Sequence, residues 1–179
     1  MSRFLRRGFT LAEMLIVIAV IGILSSMMMV ASSKSVKTTR VSNIISTLRN
    51  FASAAMTFYT DSMDYFTKYP SYNQDIDNST QLTGRVMKYM YNGGNSIQDK
   101  TSYRVLNHYE STNKISTWWV GYDVGNDSDS TGLKERLKAR ADSANLKGSG
   151  GFEQFPDKTA STKYDGQNIV WLLIRSNSK

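Results

Sequence analysis

The sequence predicts an α+β protein, in which a long N-terminal α-helix, transmembrane in its first half, packs on a small C-terminal antiparallel β-sheet domain. Three observations predict this fold. Residues 9–31 are almost entirely apolar. Apolar residues then recur at steps of three and four as far as Met63, as on one face of a helix. After Pro70, short runs rich in aromatic and β-branched residues alternate with polar turns, which is typical of strands.

The apolar segment is long enough to cross a membrane. As an α-helix, residues 9–31 extend for roughly 34 Å, whereas the hydrocarbon core of a bilayer is about 30 Å thick. Arg3, Arg6 and Arg7 precede the segment, and Lys34 is the first basic residue after it. The positive-inside rule therefore predicts a cytoplasmic N-terminus and a C-terminal part outside the cytoplasm.

Three interpretations of this segment compete. A secretory signal peptide fits the basic start and a cleavage site at residues 31–33, but the usual apolar run is only about 7–15 residues. A plain membrane anchor fits the length but leaves Glu13 unexplained. An ionised carboxylate inside a bilayer costs about 2.5–3.5 kcal/mol, so a simple anchor would not carry one without a partner.

The third interpretation rests on residues 6–13, RRGFTLAE, and on the apolar run MLIVIAVIGILSS that follows. Together they resemble the prepilin motif of type IV pilins and type II secretion pseudopilins. The resemblance implies cleavage after Gly8 by prepilin peptidase and N-methylation of Phe9. It also implies that Glu13 pairs with the N-terminal amine of a neighbouring subunit during assembly. Such a pairing is physically reasonable, because a buried carboxylate needs a cation.

The resemblance further implies a structural protein and not an enzyme. The precursor would lie in the inner membrane, and an assembly platform there would polymerise it, alone or with other pilins, into a cell-surface pilus. A periplasmic pseudopilus is the alternative within the same class. From another class, the alternative is a membrane-anchored adhesin or DNA-binding module that does not polymerise. The predicted segments are a leader at 1–8, a transmembrane half-helix at 9–31, an amphipathic half-helix at 32–66 and a head at 67–179.

The amphipathic half of the helix carries a single apolar stripe. Because proline is absent before Pro70, the helix is predicted to run unbroken from Phe9 to about Asp64. The stripe should pack against the head. Its members are Val41, Ile44, Ile45, Leu48, Phe51, Ala52, Ala55, Phe58, Tyr59 and Met63.

The head is predicted to be a small antiparallel sheet with two short helices. Its predicted elements are a helix through Leu82, Val86 and Met90 that stops at Gly93-Gly94, strands at 103–109 and 115–123, a helix at about 131–146, a flexible break at 148–151 and an interior strand at 169–174. Trp118 and Trp119 should point to opposite faces of their strand. One is expected in the core, and the other as an exposed contact for a subunit or ligand.

Composition excludes several kinds of site. The chain has 179 residues, no cysteine and a single histidine, His108, so disulfides, zinc–thiolate centres and histidine-rich metal sites are excluded. No nucleophile elbow, P-loop or dinucleotide-binding glycine pattern is present. No cofactor is therefore expected, with calcium as the one open possibility.

The calcium hypothesis concerns an acidic loop. Asp123, Asp127 and Asp129 partly follow an EF-hand pattern, but Lys138 stands where the last ligand should be a glutamate. Acidic residues before a helix are more often caps. The sequence therefore leaves both a calcium loop and a helix cap open here.

Nucleic acid is a further possible partner. A basic face on the second head helix could contact DNA phosphates, although Glu135 and Asp142 dilute it and ordinary solvation of an amphipathic helix is the better explanation. The residues concerned are Lys134, Arg136, Lys138, Arg140 and Lys147.

Overall fold

A computed structural model describes residues 9–62, 76–97, 99–110, 115–154 and 163–178. Within these ranges the predicted α+β fold is confirmed, since a long helix, two shorter helices and one antiparallel sheet are present. The elements in chain order are α1 (Leu11–Asp61), α2 (Ile76–Met87), β1 (Tyr103–Glu110), β2 (Ile115–Asp123), α3 (Ser130–Ala144), β3 (Leu146–Ser149) and β4 (Ile169–Ser178).

The chain divides into two units, Met1–Thr39 and Arg40–Lys179, and α1 contributes residues to both. In the first unit, Leu11–Met29 is long and apolar enough to cross a membrane, and none of this stretch is buried within the protein. The chain therefore has a helix that fits a transmembrane anchor. It is the one such helix in the part of the chain that the structure describes.

Helix α1 is continuous, as the absence of proline predicted. It begins at Leu11 and ends at Asp61, and Ser62 lies in a turn. The Ser26 hydroxyl donates a hydrogen bond of 2.8 Å to the carbonyl of Ile23, so it does not interrupt the helix. The predicted stripe member Met63 and the predicted end at Asp64 lie outside the described residues.

The core of the second unit lies between α1 and the sheet. The α1 side chains in this core are buried because they face aromatic and aliphatic residues of β1, β2 and β4. They are Val41, Ile44, Ile45, Leu48, Phe51, Ala54, Ala55 and Phe58. The predicted stripe is thus confirmed from Val41 to Phe58, except that Ala54 is buried in place of Ala52. Ala52 and Tyr59 are only partly buried.

The sheet is antiparallel with the strand order β1-β2-β4-β3. The predicted interior position of residues 169–174 is confirmed, because β4 lies between β2 and β3. The prediction of a flexible break at 148–151 is partly wrong, because Gly148 and Ser149 belong to β3 and pair with β4. Gly148 suits a packed strand because a Cβ there would lie 2.0 Å from the Gln167 side chain.

Both tryptophans of β2 are buried, and this corrects one prediction. A register shift separates Trp118 from Trp119, and the two enter different apolar clusters, so their opposite orientation is confirmed. The expected exposed contact is wrong, because each side chain is only 3% exposed. Trp119 is covered by a second, smaller core on the other face of the sheet. That core consists of Leu106, Trp119, Ile169 and Trp171, with Phe152 packed against it.

The two shorter helices follow their predicted apolar spacing. Helix α2 buries Leu82 and Val86 and ends at Met87, before the predicted stop. The Thr83 hydroxyl of α2 accepts a hydrogen bond of 2.8 Å from the backbone N–H of Val105 in β1. Helix α3 ends at Ala144, where Asn145 takes a left-handed conformation typical of a helix C-terminus.

Lys163 and Tyr164 lie beside β3. The backbone N–H of Tyr164 donates a hydrogen bond of 3.0 Å to the carbonyl of Leu146. Lys163 forms an isolated antiparallel bridge with Lys147. The Tyr164 ring is fully buried in the main core.

Candidate functional site

The N-terminal end of α1 is closed by a reciprocal pair of hydrogen bonds. The Glu13 carboxylate accepts hydrogen bonds of 2.8 Å from the backbone N–H and from the hydroxyl of Thr10. In return, the Thr10 hydroxyl accepts the backbone N–H of Glu13 at 3.2 Å. This is a capping box, with Thr10 as the N-cap and Glu13 at the third helical position. It fixes where α1 begins and holds the Glu13 side chain against the helix start.

This cap places the Glu13 carboxylate among apolar side chains that are exposed. Phe9 is 77% exposed and Leu11 is 79% exposed, and the large apolar side chains continue exposed as far as Met29. Within this chain the Glu13 carboxylate therefore has hydrogen-bond donors but no cation among the described residues. From Phe9 onward, the site combines a carboxylate that no described cation neutralises with an apolar surface, which favours a partner that brings a positive charge.

Thr10 was missed as a functional residue by the sequence analysis. The signal was present, because Thr-x-x-Glu ahead of an apolar run is the pattern of a capping box. Glu13 was interpreted only through a contact between subunits, so its local partner was overlooked. Gly8, the predicted cleavage residue, lies outside the described residues, and the roles of Gly8 and Phe9 stay predictions.

The acidic loop between β2 and α3 is occupied by contacts of its own. The Asp123 carboxylate accepts hydrogen bonds from the backbone of Gly125 at 2.8 Å and the side chain of Asn126 at 2.9 Å. Asp129 takes the N-cap position of α3, although its side chain makes no capping hydrogen bond.

Asp127, the middle residue of this loop, forms a salt bridge of 2.5 Å with Arg40 of α1. Its side chain is only 2% exposed. No group of three or more histidine, aspartate or glutamate side chains suited to a metal ion occurs among the described residues. Calcium binding by Asp123, Asp127 and Asp129 stays a prediction.

The basic face of α3 is partly neutralised. Lys134 donates a hydrogen bond of 2.6 Å to Asn168, and Lys138 forms a salt bridge with Asp165. The hydrogen bond and the charge of Lys138 lower the pKa of the Asp165 carboxyl. Contact of this face with nucleic acid stays a prediction. His108 lies in β1, as predicted.

Comparison with known proteins identifies the N-terminal segment. Residues 3–29 match the family model described as the prokaryotic N-terminal methylation motif. No curated protein and no solved structure gives a significant match to the chain. The matched residues include the capping box and most of the exposed apolar helix, and they fit a precursor anchored in the inner membrane. The chain therefore carries the signature of type IV pilins and pseudopilins, the substrates of prepilin peptidase, on a pilin-like α+β fold.

Proposed function

We propose that this protein is a structural subunit of a type IV pilus-like filament, cleaved after Gly8 and polymerised through its N-terminal helix. The observation that carries the proposal is the pairing of an uncovered apolar helix with a carboxylate that has no cation among the described residues. In the precursor, lipid covers the apolar side chains of Leu11–Met29. In the filament, the same surface would be covered by the helices of other copies.

The chemistry of cleavage supports this proposal. Removal of residues 1–8 would create a new α-amine at Phe9, close to Glu13 in the sequence. An amine of this kind is cationic at neutral pH, with an ordinary pKa of about 7.7–8.0. As the family resemblance implies, the amine of a neighbouring copy would supply the cation for the Glu13 carboxylate, and the pair would set the register between subunits.

Two other functions remain as alternatives. A type II secretion pseudopilin would use the same processing and the same helix in a short periplasmic fibre. A membrane-anchored adhesin or DNA-binding module would keep the anchor but would not polymerise. The three differ in where the processed protein is found, which makes them separable by one experiment.

The test is mass spectrometry of the N-terminal peptide in sheared surface filaments and, separately, in membranes. We expect a methylated peptide that begins at Phe9 and is abundant in the sheared fraction. The same peptide restricted to membranes would favour the pseudopilin. A peptide that begins near Lys34, or an intact Met1 start, would contradict the processing of this chain as a prepilin.

Substitution of Gly8 by leucine is expected to block processing, because the family resemblance places the peptidase cut directly after this glycine. The protein should then accumulate in membranes at the mass of the uncleaved precursor. The control is Ser2→Ala, a change within the leader but away from the cut, which should leave the mature mass unchanged. A Gly8→Leu protein of normal mature mass would show that cleavage occurs elsewhere.

A further inference from the structure

A half-open cavity of about 580 Å³ lies in the second unit, between α1 and the turn that joins α2 to β1. One wall is the face of α1 between Arg40 and Thr57, and the opposite wall includes Tyr89, Tyr91 and Asp99. Ligand cavities in proteins typically enclose about 300–1,000 Å³. None of the residues that line the cavity belongs to the N-terminal cap or to the apolar stretch Leu11–Met29.

Six of the nine α1 residues that line this cavity have short polar side chains, and the other three are Arg40, Ile44 and Ala54. The six polar residues are Asn43, Ser46, Thr47, Asn50, Ser53 and Thr57. Asn, Ser and Thr are weaker helix formers than the Lys, Glu and Gln that usually cover a solvated helix. Hydrogen bonds from the Asn43, Ser46 and Asn50 side chains are absent within the described residues. Each of these groups both donates and accepts, so the wall matches a ligand that also does both.

The charged side chains at the cavity are already engaged. Arg40 is paired with Asp127. The carboxylate of Asp99 accepts hydrogen bonds of 2.5 Å from the Ser102 hydroxyl and 2.9 Å from the Thr101 hydroxyl. These bonds, led by that from Ser102, lower the pKa of the Asp99 carboxyl. The cavity therefore suits a neutral ligand better than a phosphate or another ion.

Four tyrosines line the cavity, and two of them, Tyr89 and Tyr91, are exposed. Tyr91 is 92% exposed and is followed by Asn92, Gly93 and Gly94, all in the left-handed region, which fix a tight turn beneath it. The Tyr89 ring is held by an edge contact with Phe58, at 5.6 Å between ring centroids. An exposed aromatic face carries a negative quadrupole and attracts weakly positive C–H groups.

We propose that this cavity binds a neutral oligosaccharide. A sugar offers C–H groups on the face of its ring and hydroxyl groups, which donate and accept, around its edge. The ring face would lie against Tyr91, and the hydroxyl groups would bond to the amides of Asn43 and Asn50. This proposal goes beyond the filament function and is tested without polymerisation.

The experiment is calorimetric titration of the full chain, solubilised in lauryldimethylamine oxide, because a maltoside detergent would compete for the cavity. The probes are chitotriose, cellotriose, maltotriose and lacto-N-tetraose. We expect at least one to bind with a dissociation constant of about 1 mM or lower. Tyr91→Ala and Asn50→Ala should each weaken that binding by about tenfold. The Asn50 change should not unfold α1, since alanine is the better helix former.

The matched control is Arg49→Ala, an exposed α1 residue that does not line the cavity, and its affinity should stay within about twofold of the parent. Failure of all four sugars to bind at about 10 mM would overturn the proposal. Binding that Tyr91→Ala and Asn50→Ala leave unchanged would also overturn it. Loss of filaments in these two variants, without sugar binding by the parent, would assign the cavity to a contact between subunits instead.

Discussion

Glu13→Ala is expected to abolish filament assembly while the amount of protein in the membrane fraction stays unchanged. The substitution makes the anchor more apolar, so insertion should be retained. In the proposed filament it would leave the N-terminal amine of a neighbouring copy buried without a counter-charge. Removing one partner of a buried ion pair costs about 3–5 kcal/mol. That corresponds to at least about a hundredfold loss in the association constant. The measurement is filament yield after shearing, relative to membrane protein.

Glu13→Gln separates the charge of this residue from its capping role. Glutamine serves as well as glutamate at this position of a capping box, so the start of α1 should be kept. The side chain is neutral, however, and cannot neutralise an amine. We expect Glu13→Gln to fail in assembly as Glu13→Ala does. Normal filament yield from Glu13→Gln would show that Glu13 acts through the helix cap, and the charge-pairing proposal would then be wrong.

Trp171→Ala is expected to give the largest loss of stability in the head. The Trp171 side chain is fully buried, and its Nε1–H donates a hydrogen bond of 2.7 Å to the Ser149 hydroxyl. Its ring packs edge-on against Phe152, at 5.5 Å between centroids. It also fills the space beside Gly121, where a Cβ would lie 2.7 Å from the ring. Truncating a buried tryptophan to alanine costs about 3–5 kcal/mol.

Calorimetric unfolding of the full chain in detergent measures this effect. At about 2–4 °C per kcal/mol for a chain of this size, Tm should fall by roughly 6–20 °C. The control is Leu173→Ala, in the same strand but 36% exposed, whose free energy of unfolding should change by about 1 kcal/mol or less. A Trp171→Ala protein whose Tm is unchanged would mean that the second core does not contribute to folding stability.

The elements that the sequence predicted well are those whose signal is local. In the amphipathic half of α1, each turn repeats the apolar spacing that predicted the helix. Strand β2 begins and ends where its run of β-branched and aromatic residues does. The cap at Thr10 was equally local, and its four-residue pattern was available. The residues of the N-terminal motif were recognisable for the same reason, because they are adjacent in the chain.

The elements that the sequence predicted poorly depend on distant residues. Trp119 is buried by Leu106, Ile169 and Trp171, which only the folded sheet brings together. The local sequence around Gly148 indicates a flexible break, but in the folded sheet this residue pairs with β4 and packs against Gln167. The salt bridge between Arg40 and Asp127 joins α1 to a loop far along the chain. No local pattern contains these contacts, so neither the second core nor the cavity could be derived in advance.

The two outer strands of the sheet bear on whether heads of neighbouring copies can pair through their sheets. Unpaired backbone groups on an outer strand can recruit another chain and start aggregation. On β1, the backbone N–H of Val105 already donates a hydrogen bond to the Thr83 hydroxyl. The other outer strand, β3, is only four residues long, and the carbonyl of Leu146 already accepts a hydrogen bond from the backbone N–H of Tyr164. Sheet-to-sheet addition between heads is thereby disfavoured, so in the proposed filament neighbouring copies would associate through their helices without amyloid-like contacts between sheets.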